Sequence, residues 1–201
     1  MNRALIVIDV QESFRQRPSW RAMSNPDIVT RVGQLVDAAR ANGDLVVWVL
    51  HSEPGSGTTF DPASGHVRLI DGLEPREGEP LVVKTSVNAF TTTSLQPTLV
   101  SAGIREIAIC GMRTEQCCET TARVGNDLGF SVTFVTDATA TSPIPAPDAP
   151  ADQTVEELLA DPQTLGAEDI IERTERVLAA RGFATIATTD ELVAAAGVMA
   201  R

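Results

Sequence analysis

The chain contains no tyrosine, and Phe and Trp together make up only 4% of it. A binding surface lined by rings would have to draw on Phe14, Phe60, Phe90 and the two tryptophans, Trp20 and Trp48. Cysteine is equally scarce. Cys110, Cys117 and Cys118 show no regular spacing and no C-x-x-C pair, which excludes a disulfide framework and favours a reducing compartment. Basic residues are outnumbered, 16 against 27 acidic ones, for a formal charge of −11. Without clustered Lys and Arg, a nucleic-acid partner is not expected. The acidity favours solubility and leaves the charge of a substrate open, because a pocket can differ from the surface around it. No apolar run approaches the length of a membrane span, so no membrane partner is expected. Met1-Asn2-Arg3 leads straight into a strand-like run without the pattern of a cleavable signal, and the expected location is cytoplasmic.

At 201 residues the chain is long enough for one full core, and residues 1–201 read as a single α/β domain. Ala4 to Ile8 is a continuous apolar run of the kind expected for a strand covered on both faces, and it stops at Asp9. Ile28, Val32, Leu35, Val36 and Ala39 recur at helical spacing, with Gly43 as the stop. Leu45 to Leu50 reads as a second strand. From His51 to Pro80 there is no sustained period, and so long a connection in a small domain is often functional; it reads as a lid or pocket wall. Leu81 to Val83 is a short third strand that delivers Lys84 at its end. A brief helix over Ser94 to Ala102 closes at Gly103, and Glu106 to Cys110 is the fourth strand.

The stretch that follows organises the rest. Ile107 to Arg123 reads IAICGMRTEQCCETTAR, a β-branched run, a tight turn at Cys110-Gly111, and a helix opening near Thr114 and running to about Leu128. Cys117 falls at the helix start, where unpaired amides and the positive helix end favour a thiolate. Cys110 and Cys118 fit structural packing. Ser131 to Thr136 is a fifth strand, and Asp137 to Ala151, with its SPIPAPDAP segment, reads as a surface loop or arm. Helices are expected over Thr154 to Ala160 and Ala167 to Arg181, a sixth strand over Ala184 to Ala187, and a last helix opened by a Thr188/Glu191 capping box.

Strands alternating with helices predict a three-layer α/β/α sandwich on a six-stranded, mainly parallel, Rossmann-like sheet. Ligands of such sheets bind beyond the carboxyl ends of the strands, and Asp9, Lys84 and the Cys117 turn all fall there. A carboxylate, an ammonium and a thiol at one edge suit covalent hydrolysis. Asp9 would take the thiol proton and return it to a leaving amine, Lys84 would stabilise the thiolate and hold Asp9, and the Cys117 amide with another from the turn would face an oxyanion.

Three segments, Asp9 in ALIVIDVQESF, Lys84 in LVVKTSVNAF and Cys117 in CGMRTEQCCETTARVGNDLGF, resemble the signature segments of the isochorismatase-like cysteine hydrolase superfamily. The likeness extends to the closing ATIATTDELV segment, and the G-x-x-T-x-x-C motif followed by Thr-Ala is specific in that company. The resemblance implies an Asp-Lys-Cys triad that cuts a C–N bond through a thioester. It also implies a cis Met112-Arg113 bond aiming the Arg113 and Cys117 amides at the oxyanion, and pocket positions for Gln11 and Phe14, with Phe90 a further candidate. Nicotinamidases of this family carry an Asp-x-His and a later His that bind a metal; here the region reads WVLHSEPG. His51, Glu53 and His66 are too loosely spaced, so neither a metal nor another cofactor is expected and nicotinamide is not the favoured substrate. The favoured reaction is hydrolysis of an amide, ureido or lactam bond in a small molecule. Vinyl-ether or ester cleavage is the second reading, and an idle scaffold or a Cys117-Cys118 redox sensor the third. Relatives imply a homo-oligomer, dimer or tetramer.

Overall fold

Alternate residues of the first strand, β1 (Arg3–Ile8), face opposite sides of the sheet, and each side meets its own core. Leu5 and Val7 pack with Val46, Trp48 and Ala108 under α2 (Ile28–Asn42), whose Ile28, Val32, Leu35, Val36 and Ala39 form the predicted buried stripe. Ala4, Ile6 and Ile8 pack with Val47, Val49, Ile107 and Ile109 on the other side, against Leu95 and Leu99. The computed structural model describes residues 3–199.

After β1 come a single helical turn, α1 (Glu12–Arg15), then α2, β2 (Leu45–His51), β3 (Leu81–Lys84), α3 (Leu95–Ser101) and β4 (Glu106–Met112). A π-helical turn, Thr114–Cys118, opens α4 (Glu119–Asp127), followed by β5 (Ser131–Ala140), α5 (Val155–Ala160), α6 (Ala167–Ala180), β6 (Thr185–Ala187) and α7 (Thr189–Met199). The six strands are all parallel in the order β3-β2-β1-β4-β5-β6, with helices on both faces. Strand order reverses between β1 and β4, the crevice where parallel sheets bind ligands. Gly43 stops α2 in the left-handed conformation, and Thr188 exchanges hydrogen bonds with Glu191 at the start of α7, both as predicted.

Two boundaries differ from the sequence reading. β4 continues two residues beyond Cys110, and β5 runs on to Ala140 where a loop was expected from Asp137. The cause is shared: a register shift between Ile109 and Gly111 lets Gly111 and Met112 pair with Thr139 and Ala140. Such bulges are invisible to strand periodicity.

Buried Glu119 fastens α4 to α6. It accepts from Arg123 Nε at 2.9 Å and Thr174 Oγ1 at 3.2 Å, and it pairs with Arg173. Glu119→Ala would strand the buried Thr174 hydroxyl and two guanidiniums. It is expected to lower stability by about 2–3 kcal/mol in urea unfolding, with the slope unchanged.

Candidate active site

β1 ends as its apolar run gives way to Asp9, which turns the chain out of the sheet at φ +53°, the only positive φ on a non-glycine residue among the described residues. Backbone strain of this kind gathers at functional sites. Lys84 ends β3, and its side chain is buried, 0% exposed. Cys117 comes from the π-helical turn after β4, where the Cys118 and Gln116 amides both donate to the Arg113 carbonyl, at 3.1 and 3.2 Å, and the Met112-Arg113 peptide is cis. Short π segments inside helices often mark functional positions. Thr114 anchors the turn: its hydroxyl donates to Thr139 Oγ1 at 2.8 Å, which donates on to the Thr136 carbonyl.

These three elements bring the predicted residues together. Lys84 Nζ stands 2.7 Å from Asp9 Oδ2, 3.4 Å from Cys117 Sγ and 3.4 Å from His51 Nδ1. The ion pair is close in distance but poorly directed, and neither Asp9 oxygen has a hydrogen-bond donor in good geometry. A buried carboxylate with open acceptor sites beside a thiol is placed to take its proton.

Burial dominates the titration of the site. It raises the Asp9 pKa above the usual 3.8 against the opposing charge of Lys84. It pushes Cys117 from 9.0 up to about 12, with Asp9 adding to the rise and Lys84 opposing it. Burial pulls Lys84 down, but Asp9 and Cys117 outweigh it, and its pKa ends above 10.5. The resting site therefore holds an ammonium and a neutral thiol. The extra acidity expected of a cysteine at a helix start is overridden, because this one is walled off from water. Cys110 and Cys118, buried in the two cores, are raised as well, also by burial first.

A pH dependence follows. Above about pH 9 the unfolded chain releases thiol protons that the folded chain keeps, so the folded state binds more protons and stability falls as pH rises. Lys84 acts with the same sign above 10.5. Each group adds a slope of up to about 1.4 kcal/mol per pH unit. Denaturation midpoints are expected to drop steeply from pH 9 to 11, and less steeply in Cys110→Ala; a flat profile would contradict the buried thiols.

Asp9 and Cys117 open on a cavity of about 100 Å³ walled by Phe14, Arg17, His51, Glu53, Phe60, Val87, Arg113 and Gln116. The rings of Phe14 and Phe60 meet edge to face at 4.9 Å. The end of β2 and the long connection after it thus wall the pocket, with His51 from the strand and Glu53 and Phe60 from the connection. Two expected pocket residues are corrected. Gln11 is fully buried, and its amide is occupied: it donates to the His51 carbonyl at 3.0 Å and to Ser13 Oγ at 2.9 Å, and accepts from the His51 amide at 2.7 Å. It ties β1 to β2 and sets His51 in place instead of facing a ligand. Phe90 stacks on Phe130, centroids 6.0 Å apart, in the core packed against Gly125 of α4, and does not line the cavity.

Sequence reasoning passed over Arg17, Val87 and Gln116, and considered His51 and Glu53 only as metal ligands. His51 Nε2 is 3.4 Å from Glu53 Oε1, and among the described residues no group of three or more His, Cys, Asp or Glu side chains is placed to hold a metal ion. One signal was available and unused: Lys84 is the only lysine in the chain.

The pattern that defines the isochorismatase domain matches residues 3–154. A streptothricin hydrolase of Streptomyces noursei is 37% identical over 72% of the chain, which spans 56% of that protein. Nicotinamidase 3 of Arabidopsis thaliana is 34% identical over 69% of the chain and 73% of its own length. Among solved structures, an isochorismatase of Pseudomonas putida superposes with a TM-score of 0.78 at 32% identity, covering 94% of this chain and 89% of that one.

Proposed function

The chain belongs to the isochorismatase family and is a hydrolase, and on that premise we propose that it cleaves an amide, ureido or lactam C–N bond of a small molecule through a thioester on Cys117. The observation that carries this reading is the meeting of three groups in one cavity, with Lys84 Nζ 2.7 Å from the Asp9 carboxylate and 3.4 Å from Cys117 Sγ. The names of the streptothricin hydrolase and the nicotinamidase support the C–N class.

As the thiol attacks, its proton passes to Asp9, and the sulfur bonds to the carbonyl carbon. The backbone amides of Arg113 and Cys117 receive the developing oxyanion. Asp9 gives the proton to the leaving nitrogen as the C–N bond breaks, leaving a thioester. Water then yields a proton to Asp9 and its oxygen to the acyl carbon, and the proton returns to sulfur as the acid departs. Lys84 keeps a positive charge beside Asp9 and the sulfur while the proton passes between them, opposing the burial that favours the neutral form of each.

The experiment is intact-protein mass spectrometry after brief exposure to a panel of amides, ureido acids and lactams. The expected adduct equals the substrate less its amine, or the whole substrate for a lactam, whose freed amine stays attached, and it maps to Cys117. Turnover of a panel member with no trapped acyl group, or an adduct on Cys110 or Cys118, would sink the thioester route. The family reading also carries assembly as a homo-oligomer, which light scattering tests.

A further inference from the structure

Two guanidiniums border the cavity without an ion-pair partner among the described residues. Arg17 lies over the Phe60 ring, 5.5 Å from its centre, and Arg113 over the Phe14 ring at 5.8 Å, so each cation rests on one of the two phenyl rings of the cavity wall. Arg15, Arg21 and Arg31 on neighbouring stretches each meet a carboxylate. Neither Arg17 nor Arg113 forms an ion pair among the described residues. Of the nearby acids, Glu53 accepts from Thr58 Oγ1 at 3.0 Å and faces His51, while Glu115 raises the Arg113 pKa from beyond ion-pair distance, its buried Oε2 without a hydrogen-bond partner. Burial lowers the Arg113 pKa, the charge of Glu115 opposes the fall, and the nearby Arg17 adds to it. The same pair borders a second, outer cavity of about 600 Å³ under the proline-rich arm, so they stand where the two chambers join.

We propose that Arg17 and Arg113 together receive a carboxylate of the substrate, making the preferred substrates small amides or ureides that carry an acid group. This rests on Cys117 being the nucleophile at the inner end of the same cavity. Guanidiniums bind carboxylates through paired, charge-assisted hydrogen bonds, and aromatic faces hold the guanidinium planes while they do so. A neutral analogue would leave both cations unpaired.

The test compares alkylation of Cys117 by iodoacetate and iodoacetamide, reagents of nearly equal shape, one anionic and one neutral. In both reactions the thiol proton goes to Asp9, a C–S bond forms and iodide leaves. Rates are read by peptide mass spectrometry and normalised to those of glutathione. Iodoacetate is expected to be favoured over iodoacetamide by about tenfold relative to glutathione. The preference should fall to the glutathione ratio in Arg17→Gln with Arg113→Gln, and survive in part in Arg17→Lys. A wild-type ratio equal to that of glutathione, or a preference unchanged in the double variant, overturns the proposal while leaving Cys117 as the nucleophile. If neither reagent reaches Cys117, the catalytic reading fails separately. The carboxylate site is then decided by calorimetric titration of succinate into Cys117→Ser, where saturable binding lost in the double variant supports it and no binding overturns it.

Discussion

Cys117→Ala is expected to lower kcat by on the order of 10⁴-fold or more on any substrate that the acyl-adduct panel identifies, with the fold intact. The side chain is 6% exposed and small, so its loss leaves only a minor void, and the thermal midpoint should move by no more than a few degrees. Asp9→Asn should match it in rate, because the amide cannot take the thiol proton. The isosteric amide also leaves the buried Lys84 ammonium, 2.7 Å away, without its counter-charge, so this variant should lose stability as well, by about 3 kcal/mol. The two readouts separate chemistry from folding: rate lost without stability in the first, both lost in the second. Activity that survives Cys117→Ala and falls in Asp9→Asn would point to vinyl-ether or ester cleavage, in which the carboxyl acts without the thiol.

The largest effect on folding is expected from a single methyl group at Gly111. Its φ is +124°, and a Cβ built there would lie 1.9 Å from the carbonyl oxygen of Ile8 and 2.8 Å from its amide nitrogen. Those atoms are backbone of β1 in register with β4, and they cannot turn aside as a side chain could. Gly111→Ala must therefore part the two strands at the residue before Asp9, and a loss above about 4 kcal/mol is expected, enough to leave most of the chain insoluble. Gly129→Ala is the matched control, with φ +89° and open space around it. It should cost only about 1–2 kcal/mol from backbone strain. Equal soluble yields and equal urea midpoints for the two variants would refute the close approach at Gly111.

Much of this molecule can be read from its residues. The apolar runs of β1 and β2, the helical stripe from Ile28 to Ala39 and the glycine stops mark one sheet with helices on both faces, because covered parallel strands need continuous apolar sequence. Asp9, Lys84 and Cys117 can be picked out for the same local reason: each breaks an apolar run or follows one at a strand's carboxyl end. That pattern placed them at one edge, and the edge is where they meet.

Contacts between distant segments left no such trace. The register shift that carries β5 to Ala140 depends on what Gly111 faces across the sheet, and alternation within β5 says nothing of it. Phe90 and Phe14 are both lone aromatic residues in polar surroundings of the sequence, yet one stacks in the core and the other walls the cavity, since only packing decides where each ring goes. Arg17 and Arg113 lie far apart along the chain and come together only when two phenyl rings seat them.

The sequence by itself determined the layers, the strand ends and which three side chains stand at those ends, because these follow from short-range periodicity and from which residue interrupts it. Tertiary structure alone decided which way burial and charge shift those groups and what surrounds them. Burial, not position at a helix start, keeps the Cys117 thiol protonated, and burial is a property of everything packed around a residue.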